Sequence, residues 1–268
     1  RISGSSLGRF SGKTVSAFWQ APDGAIWVGA WDCGTAVIPS SGVDNAASGG
    51  AFRMMPLNAL PQTASVYKIA ADSFGRVWIA TGDGLYRSSG GALTAPSSAS
   101  WTCLRRDTSN PASLSDDCIT NILVEERDVW VGSRSGLNRI TLGDDGEIED
   151  IVRLSIRPDA ASGEFISFIH RSADGSLWVS ALGLGLCRME ADGSFRIFNR
   201  TVCPEFPNNE FESVLEDRQG NLWLGGFGLV RFSPGTGSIA CWSRRDGLQS
   251  NAFKMYDAVS FGDGRMAF

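Results

Sequence analysis

One pattern returns along the chain about every 48 residues: a turn carrying Asp and Gly, an apolar residue and Trp, a small residue, then Gly, Leu and Arg. A unit of that length is one supersecondary element that cannot bury its own faces, so the repeat decides the fold before any single residue suggests chemistry. Five copies are full, centred on Trp27, Trp78, Trp130, Trp178 and Trp223, and a sixth begins near the end of the chain with Ala267 in the Trp place. Upstream of each Trp stands a matching apolar pair: Val15 and Phe18, Val66 and Ile69, Ile119 and Ile122, Ile166 and Ile169, Phe211 and Val214.

Each unit reads as four short strands broken by Gly, Asp, Asn and Pro; in the fifth copy these are Phe211 to Leu215, Leu222 to Gly225, Leu229 to Phe232 and Ser238 to Ser243. No window longer than ten residues carries a helical apolar period, so helix is nearly excluded. Four-stranded units at this spacing are the signature of an all-β fold, a β-propeller of four-stranded antiparallel blades with about five and a half repeats present. The Trp on each second strand is expected to be buried against the neighbouring blade, with Asp and Gly building the hairpin turn before it. Gly29, Gly132 and Gly225, two residues after a Trp, permit close backbone approach.

Residues 1–268 read as one propeller domain, with a partial repeat over 253–268. Arg1 falls in the register of a third strand and Phe268 at the end of a second, which suggests a piece of a larger protein. Either Met255 to Phe268 and Arg1 to Phe10 share a composite blade of a six-blade ring, or the chain is an excerpt from a seven-blade ring.

Composition removes several function classes. The formal charge of −5, with Arg at fixed strand positions rather than in clusters, leaves no nucleic-acid footprint. No run of 18 apolar residues is present. The six cysteines, Cys33, Cys103, Cys118, Cys187, Cys203 and Cys241, form no CxxC. Cys103 with Cys118, and Cys187 with Cys203, are candidate disulfides; the alternative is buried thiols. The even count tilts toward an oxidising compartment.

The motif Glu216-Asp217-Arg218-Gln219-Gly220-Asn221-Leu222-Trp223-Leu224-Gly225 resembles the repeat unit of two-component regulator propellers, E-D-x-x-G-x-L-W-I-G-T followed by G-L-x-R. The connector Asn110 to Ser115 and the segment Asp246 to Phe253 are similar to that family as well. The third copy departs, with a shortened turn at Arg127-Asp128, and the first lacks Leu-x-Arg after Gly34. The resemblance implies the sensor region of a hybrid two-component histidine kinase. It would be periplasmic, joined to other propeller and β-sandwich modules of the same receptor, possible as a homodimer in the parent, and responsive to oligosaccharides released from polysaccharides.

Catalytic readings find little support. The sole His, His170, sits in a strand, and the turn Ser172 to Trp178 resembles the Asp-box of sialidases, a structural turn; Asp23, Asp72 and Asp217 recur in like turns. Glycoside chemistry needs two carboxylates facing one another across a sugar, and no pair among the 29 acids is singled out. No catalytic residue, metal site or cofactor is expected.

Ligand contact, if present, belongs to loops, because the strands are committed to packing. The loop joining second and third strands varies most between copies, with Trp31-Asp32, Asp83, Arg134, Leu182 and Phe227. Trp31, Asp32, Asp83 and Arg134 are the candidate ligand contacts: a ring stacks on a sugar face while charged groups bond hydroxyls. The alternative is that Trp31 and Phe227 seal blade edges, and the competing function is a protein-interaction scaffold, or a secreted carbohydrate-active enzyme. The insertions Ser40 to Ala51 and Ser88 to Ser100 read as polar surface loops.

Overall fold

The computed structural model describes residues 10–47, 55–57, 60–158, 163–255, 258–261 and 263–268. Two compact units are present, one of residues 1–131 and 138–153, the other of residues 132–137 and 154–268. The expected share of Arg1 to Arg9 in a composite blade falls outside the described residues.

The first unit opens with a sheet of β1 (Val15–Gln20), β2 (Ile26–Ala30), β3 (Gly34–Ile38) and β4 (Met55–Leu57). A second sheet holds β5 (Val66–Ala71), β6 (Val77–Thr81), β7 (Gly84–Ser88) and β8 (Trp101–Leu104). A third holds β9 (Ile119–Val124), β10 (Asp128–Ser133), β11 (Gly136–Leu142) and β12 (Ile148–Leu154). In the second unit β13 (Ile166–Arg171), β14 (Leu177–Ala181), β15 (Gly185–Met189) and β16 (Phe195–Phe198) form one sheet. The next is β17 (Phe211–Glu216), β18 (Leu222–Gly226), β19 (Gly228–Ser233) and β20 (Ser238–Trp242). A two-stranded pair, β21 (Val259–Ser260) and β22 (Met266–Ala267), follows. In every sheet spatial order follows chain order, so the fold is an all-β propeller of four-stranded blades, five of them complete among the described residues.

The turn before each second strand is closed as the motif requires. Asp72 N–H donates to Arg76 O and Gly75 N–H to Asp72 O; Asp217 with Asn221, and Gly220 with Asp217, repeat the pair. Gly75 and Gly220 hold φ of +73° and +78°, a region closed to most side chains. Three of the Trp rings share a core cluster with the next blade: Trp27 and Val37 with Val66 and Ile69, Trp78 with Ile119 and Ile122, and Trp178 with Phe211 and Val214. Close approach explains Gly132, where a Cβ would stand 2.7 Å from Ile166 Cγ2. The blades are also stitched through backbone: Gly34 N–H donates to Ala64 O (2.8 Å), Gly84 N–H to Asp117 O (2.7 Å) and Gly228 N–H to Asn251 O (2.7 Å).

Several expectations need correction. An eight-residue helix, α1 (Ser40–Ala47), stands inside the expected loop; Val43 N–H donates to Pro39 O, and two turns are too short for an apolar period to register. The Ser88 to Ser100 insertion is folded back, with Ala92 fully buried in the cluster around Trp27. Val15 (37% exposed) and Phe18 (70%) lie open although their counterparts in the other blades are buried, because no preceding blade covers them among the described residues. Trp223 is only partly buried, one ring face stacked on Trp242 at 5.3 Å. Cys103, Cys187, Cys203 and Cys241 are thiols, so neither candidate disulfide forms. Burial pushes the Cys187 thiol up to about 12, which suits the buried-thiol alternative.

Candidate ligand-binding site

The bulge in each first strand is where the first unit begins to build a site. Pairing of β5 with β6 slips between Val66 and Lys68, leaving Tyr67 outside the ladder, and a bulged residue is re-aimed away from the regular faces. Tyr67 lies over the β6–β7 turn, its hydroxyl 3.4 Å from where a Cβ on Gly82 would stand. The corresponding residues of the first and fourth blades, Ser16 and Ser167, instead bond the next blade: Ser16 Oγ donates to Val66 O and Ser167 Oγ to Phe211 O.

Two turns converge on the connector that leads into β5. In the β2–β3 turn, Asp32 is the one non-glycine residue at positive φ (+49°) among the described residues. Asp tolerates this region better than most because its short side chain bonds locally. Here its backbone N–H donates to Ser65 Oγ (3.1 Å) and its Oδ1 accepts from the same hydroxyl (2.8 Å). In the β6–β7 turn, Gly82 N–H donates to Ser65 O (3.0 Å), and Asp83 N–H donates to Thr81 Oγ1 (3.1 Å). Both turns are thus tied to Ser65.

Between this connector and the β6–β7 turn lies an open pocket of about 310 Å³, lined by Pro61, Thr63, Ser65, Tyr67, Gly82 and Asp83. Asp83 Oδ2 accepts from Arg105 (2.6 Å), whose Nε–H also donates to Asp83 O (3.1 Å). The pair is well exposed, at 60% for Asp83 and 49% for Arg105, so it orients the carboxylate and adds little stability. Beneath, Cys103 Sγ–H donates to Asp83 O at 3.7 Å. Burial, followed by the nearby Cys103, pushes the Tyr86 phenol up, so it remains a donor.

Of the four residues expected to contact a ligand, Asp83 lines the pocket, Asp32 is bonded to its wall, and Trp31 (50% exposed) adjoins Asp32. Arg134 is exposed in the β10–β11 turn and belongs to the second unit; the guanidinium that the first unit sets beside Asp83 is Arg105. Arg105 and Tyr67 escape a comparison of the second-to-third-strand loops, because one follows a fourth strand and the other sits in a first. A Tyr where three other copies carry Ser16, Thr120 and Ser167, and the fifth Glu212, is the signal that points to the latter.

His170 is placed elsewhere: Nε2 lies 3.1 Å from Glu216 Oε2, which also accepts from Ala173 N–H (3.0 Å). This pair joins β13 to the end of β17 and serves packing. Among the described residues no group of three or more His, Cys, Asp or Glu could hold a metal ion, and no helix is long and apolar enough to cross a membrane.

The repeat geometry accords with comparison to known proteins. Residues 205–228, which take in the first strand, the turn and the second strand of the fifth blade, match the family described as two component regulator propeller. The chain resembles that family over this one repeat. It is similar to histidine kinase P4 of Formosa agariphila, 27% identical over 161 residues, which are 58% of this chain and 12% of that protein. Among solved structures, these propeller repeats are similar to the extracellular domain of a putative hybrid two-component system of Bacteroides thetaiotaomicron. That likeness has a TM-score of 0.75 at 18% identity over 94% of this chain and 32% of that one. Virginiamycin B lyase of Staphylococcus aureus has a TM-score of 0.58 at 18% identity, over 86% of this chain and 70% of that one. The chain therefore spans about an eighth of its curated relative and a third of the hybrid-system domain.

Proposed function

We propose that residues 1–268 form one ligand-sensing propeller of a two-component receptor, held outside the cytoplasm in the periplasm, and that it binds without catalysing. The observation that carries the reading is the pocket between the connector into β5 and the β6–β7 turn, lined by Ser65, Tyr67 and Asp83, with Asp32 bonded to Ser65. Its size is at the lower end for small-molecule sites and suits one end of an oligosaccharide. The likeness to an extracellular domain of a hybrid two-component system supports the receptor context, and histidine kinase P4 supports a kinase elsewhere in the parent protein. Other propeller and β-sandwich modules of that parent are its expected neighbours, and regulation of polysaccharide use its expected output.

Trp31, Asp32 and Asp83 are the proposed contacts, and Arg134 is proposed as a contact carried by the second unit. Calorimetric titration of the chain with an oligosaccharide library tests the reading. Trp31→Ala is expected to weaken the bound sugar about tenfold, close to 1.4 kcal/mol. Turnover of a chromogenic glycoside, abolished by one Asp or Glu substitution, would instead establish the enzyme reading that likeness to a lyase keeps in view.

A further inference from the structure

The charge of the pocket rim discriminates between classes of sugar. One charged side chain lines the pocket, Asp83, and two more are bonded to its lining residues, Asp32 to Ser65 and Arg105 to Asp83. Two carboxylates against one guanidinium leave one net negative charge. Arg105 is already committed, because its NH2 meets Asp83 Oδ2 at 2.6 Å and its Nε–H meets Asp83 O at 3.1 Å. An anionic sugar would have to break that fork to recruit the cation, and would then face two carboxylates.

Hydrogen-bond capacity points the same way. Asp32 Oδ2 and Asp83 Oδ1 accept no hydrogen bond among the described residues. An ionised carboxylate is an acceptor only, and its natural complement is a sugar hydroxyl donating to it. From this rim we infer that the pocket takes an uncharged sugar and rejects uronate and sulfated oligosaccharides. The inference rests on the proposal that the pocket is the ligand site, and it adds which carbohydrates that site accepts.

The test uses the whole chain and matched probes that differ in charge: galacto-oligosaccharides against oligogalacturonates, and xylo-oligosaccharides against sulfated xylo-oligosaccharides. A neutral member is expected to bind at least tenfold more tightly than its charged counterpart. Asp83→Asn is expected to narrow that ratio by relieving repulsion of the charged probe. Thr63→Trp, a substitution at an exposed position that fills the pocket, is expected to abolish binding while the far-ultraviolet dichroism stays unchanged. If the charged probe binds as tightly as the neutral one, or more tightly, and Thr63→Trp removes it, the charge inference fails while the pocket stands. If a neutral probe binds and Thr63→Trp leaves it unaffected, or if no probe binds at all, the pocket itself is wrong.

Discussion

Trp27 and Trp78 occupy the same place in consecutive blades, and both rings are fully buried, yet they are held by different means. Asp72 Oδ2 accepts the Trp78 indole N–H at 2.8 Å, while Oδ1 accepts from Phe74 N–H and Arg76 N–H. Arg87, across from Trp78 on β7, lies over its ring at 5.3 Å. The first blade has Ala21 in the place of that acid and Val37 in the place of that Arg. Its indole N–H finds no partner among the described residues, and the ring is packed instead by Trp19 at 6.2 Å and Trp101 at 6.4 Å. Burial of the ring is thus the constant of the repeat, and the polar latch is an addition that a blade can lack. Asp217 repeats the latch on Trp223, and Glu125 reaches Trp130 at 2.8 Å across the shorter third turn.

If burial is the constant, removing either ring is the most damaging change. Trp78→Ala and Trp27→Ala are each expected to cost about 3–5 kcal/mol in chemical denaturation, with Trp78→Ala the worse because it also strips a donor from buried Asp72. A much smaller loss at Trp27 would mean that the aromatic surround closes over the cavity. Next in size is Asp72→Ala, which leaves three N–H donors without their acceptor and is expected to cost about 2–3 kcal/mol. In a Trp78→Phe background that cost should shrink, whereas an unchanged cost would show that the indole bond contributes nothing.

The latch also predicts a pH response. Burial pushes the Asp217 carboxyl up, but bonds from the Asn221 side chain, the Trp223 indole and the turn backbone outweigh it and hold the group below the usual carboxylate range. A depressed folded value means stability that is present above the unfolded value of about 3.9 and lost as pH falls through the folded one. Thermal melts between neutral pH and pH 2 should therefore show a steeper acid loss for the native chain than for Asp217→Asn. Smallest is the gain expected from installing the latch where it is missing. Ala21 N–H donates to Ala25 O just as Asp72 N–H does to Arg76 O, so Ala21→Asp should accept the Trp27 N–H and stabilise by about 1 kcal/mol. Destabilisation there would show that the aromatic surround leaves no room for a carboxylate.

The contrast between these blades also marks what could be read in advance. The fifth blade's strands fall within about a residue of expectation, because Gly and Asp punctuate them and turn chemistry is local. Reading Asp23 as the equal of Asp72 and Asp217 was less successful: Asp23 stands two places closer to its Trp, and its Oδ1 accepts only from Ala25 N–H (3.0 Å). Asp174 takes the same closer place and accepts from Ser176 N–H. Pattern alone did not separate a carboxylate that caps its own turn from one that reaches a side chain six residues on. Phe18 matched the buried pairs by type, but its burial depends on a neighbouring blade, a tertiary fact with no local trace.

In the site, Asp32 and Asp83 were legible because one loop position varied while its surroundings repeated. Arg105 and Tyr67 were not, since one follows a fourth strand and meets Asp83 while the other lies in a first strand and lines the pocket. The connector is tied to the first blade by the recurring stitch, here Gly34 N–H to Ala64 O. Its acceptor is a backbone carbonyl, which any residue type can supply and which leaves little sequence signal.

The most direct measurement of the account is a crystal structure of the chain with the tightest-binding neutral oligosaccharide. Sugar density beside Asp83, with a hydroxyl within hydrogen-bond distance of its carboxylate and the Arg105 fork intact, is the expected result. Density on another face, with the pocket beside the β6–β7 turn empty of sugar, would contradict it.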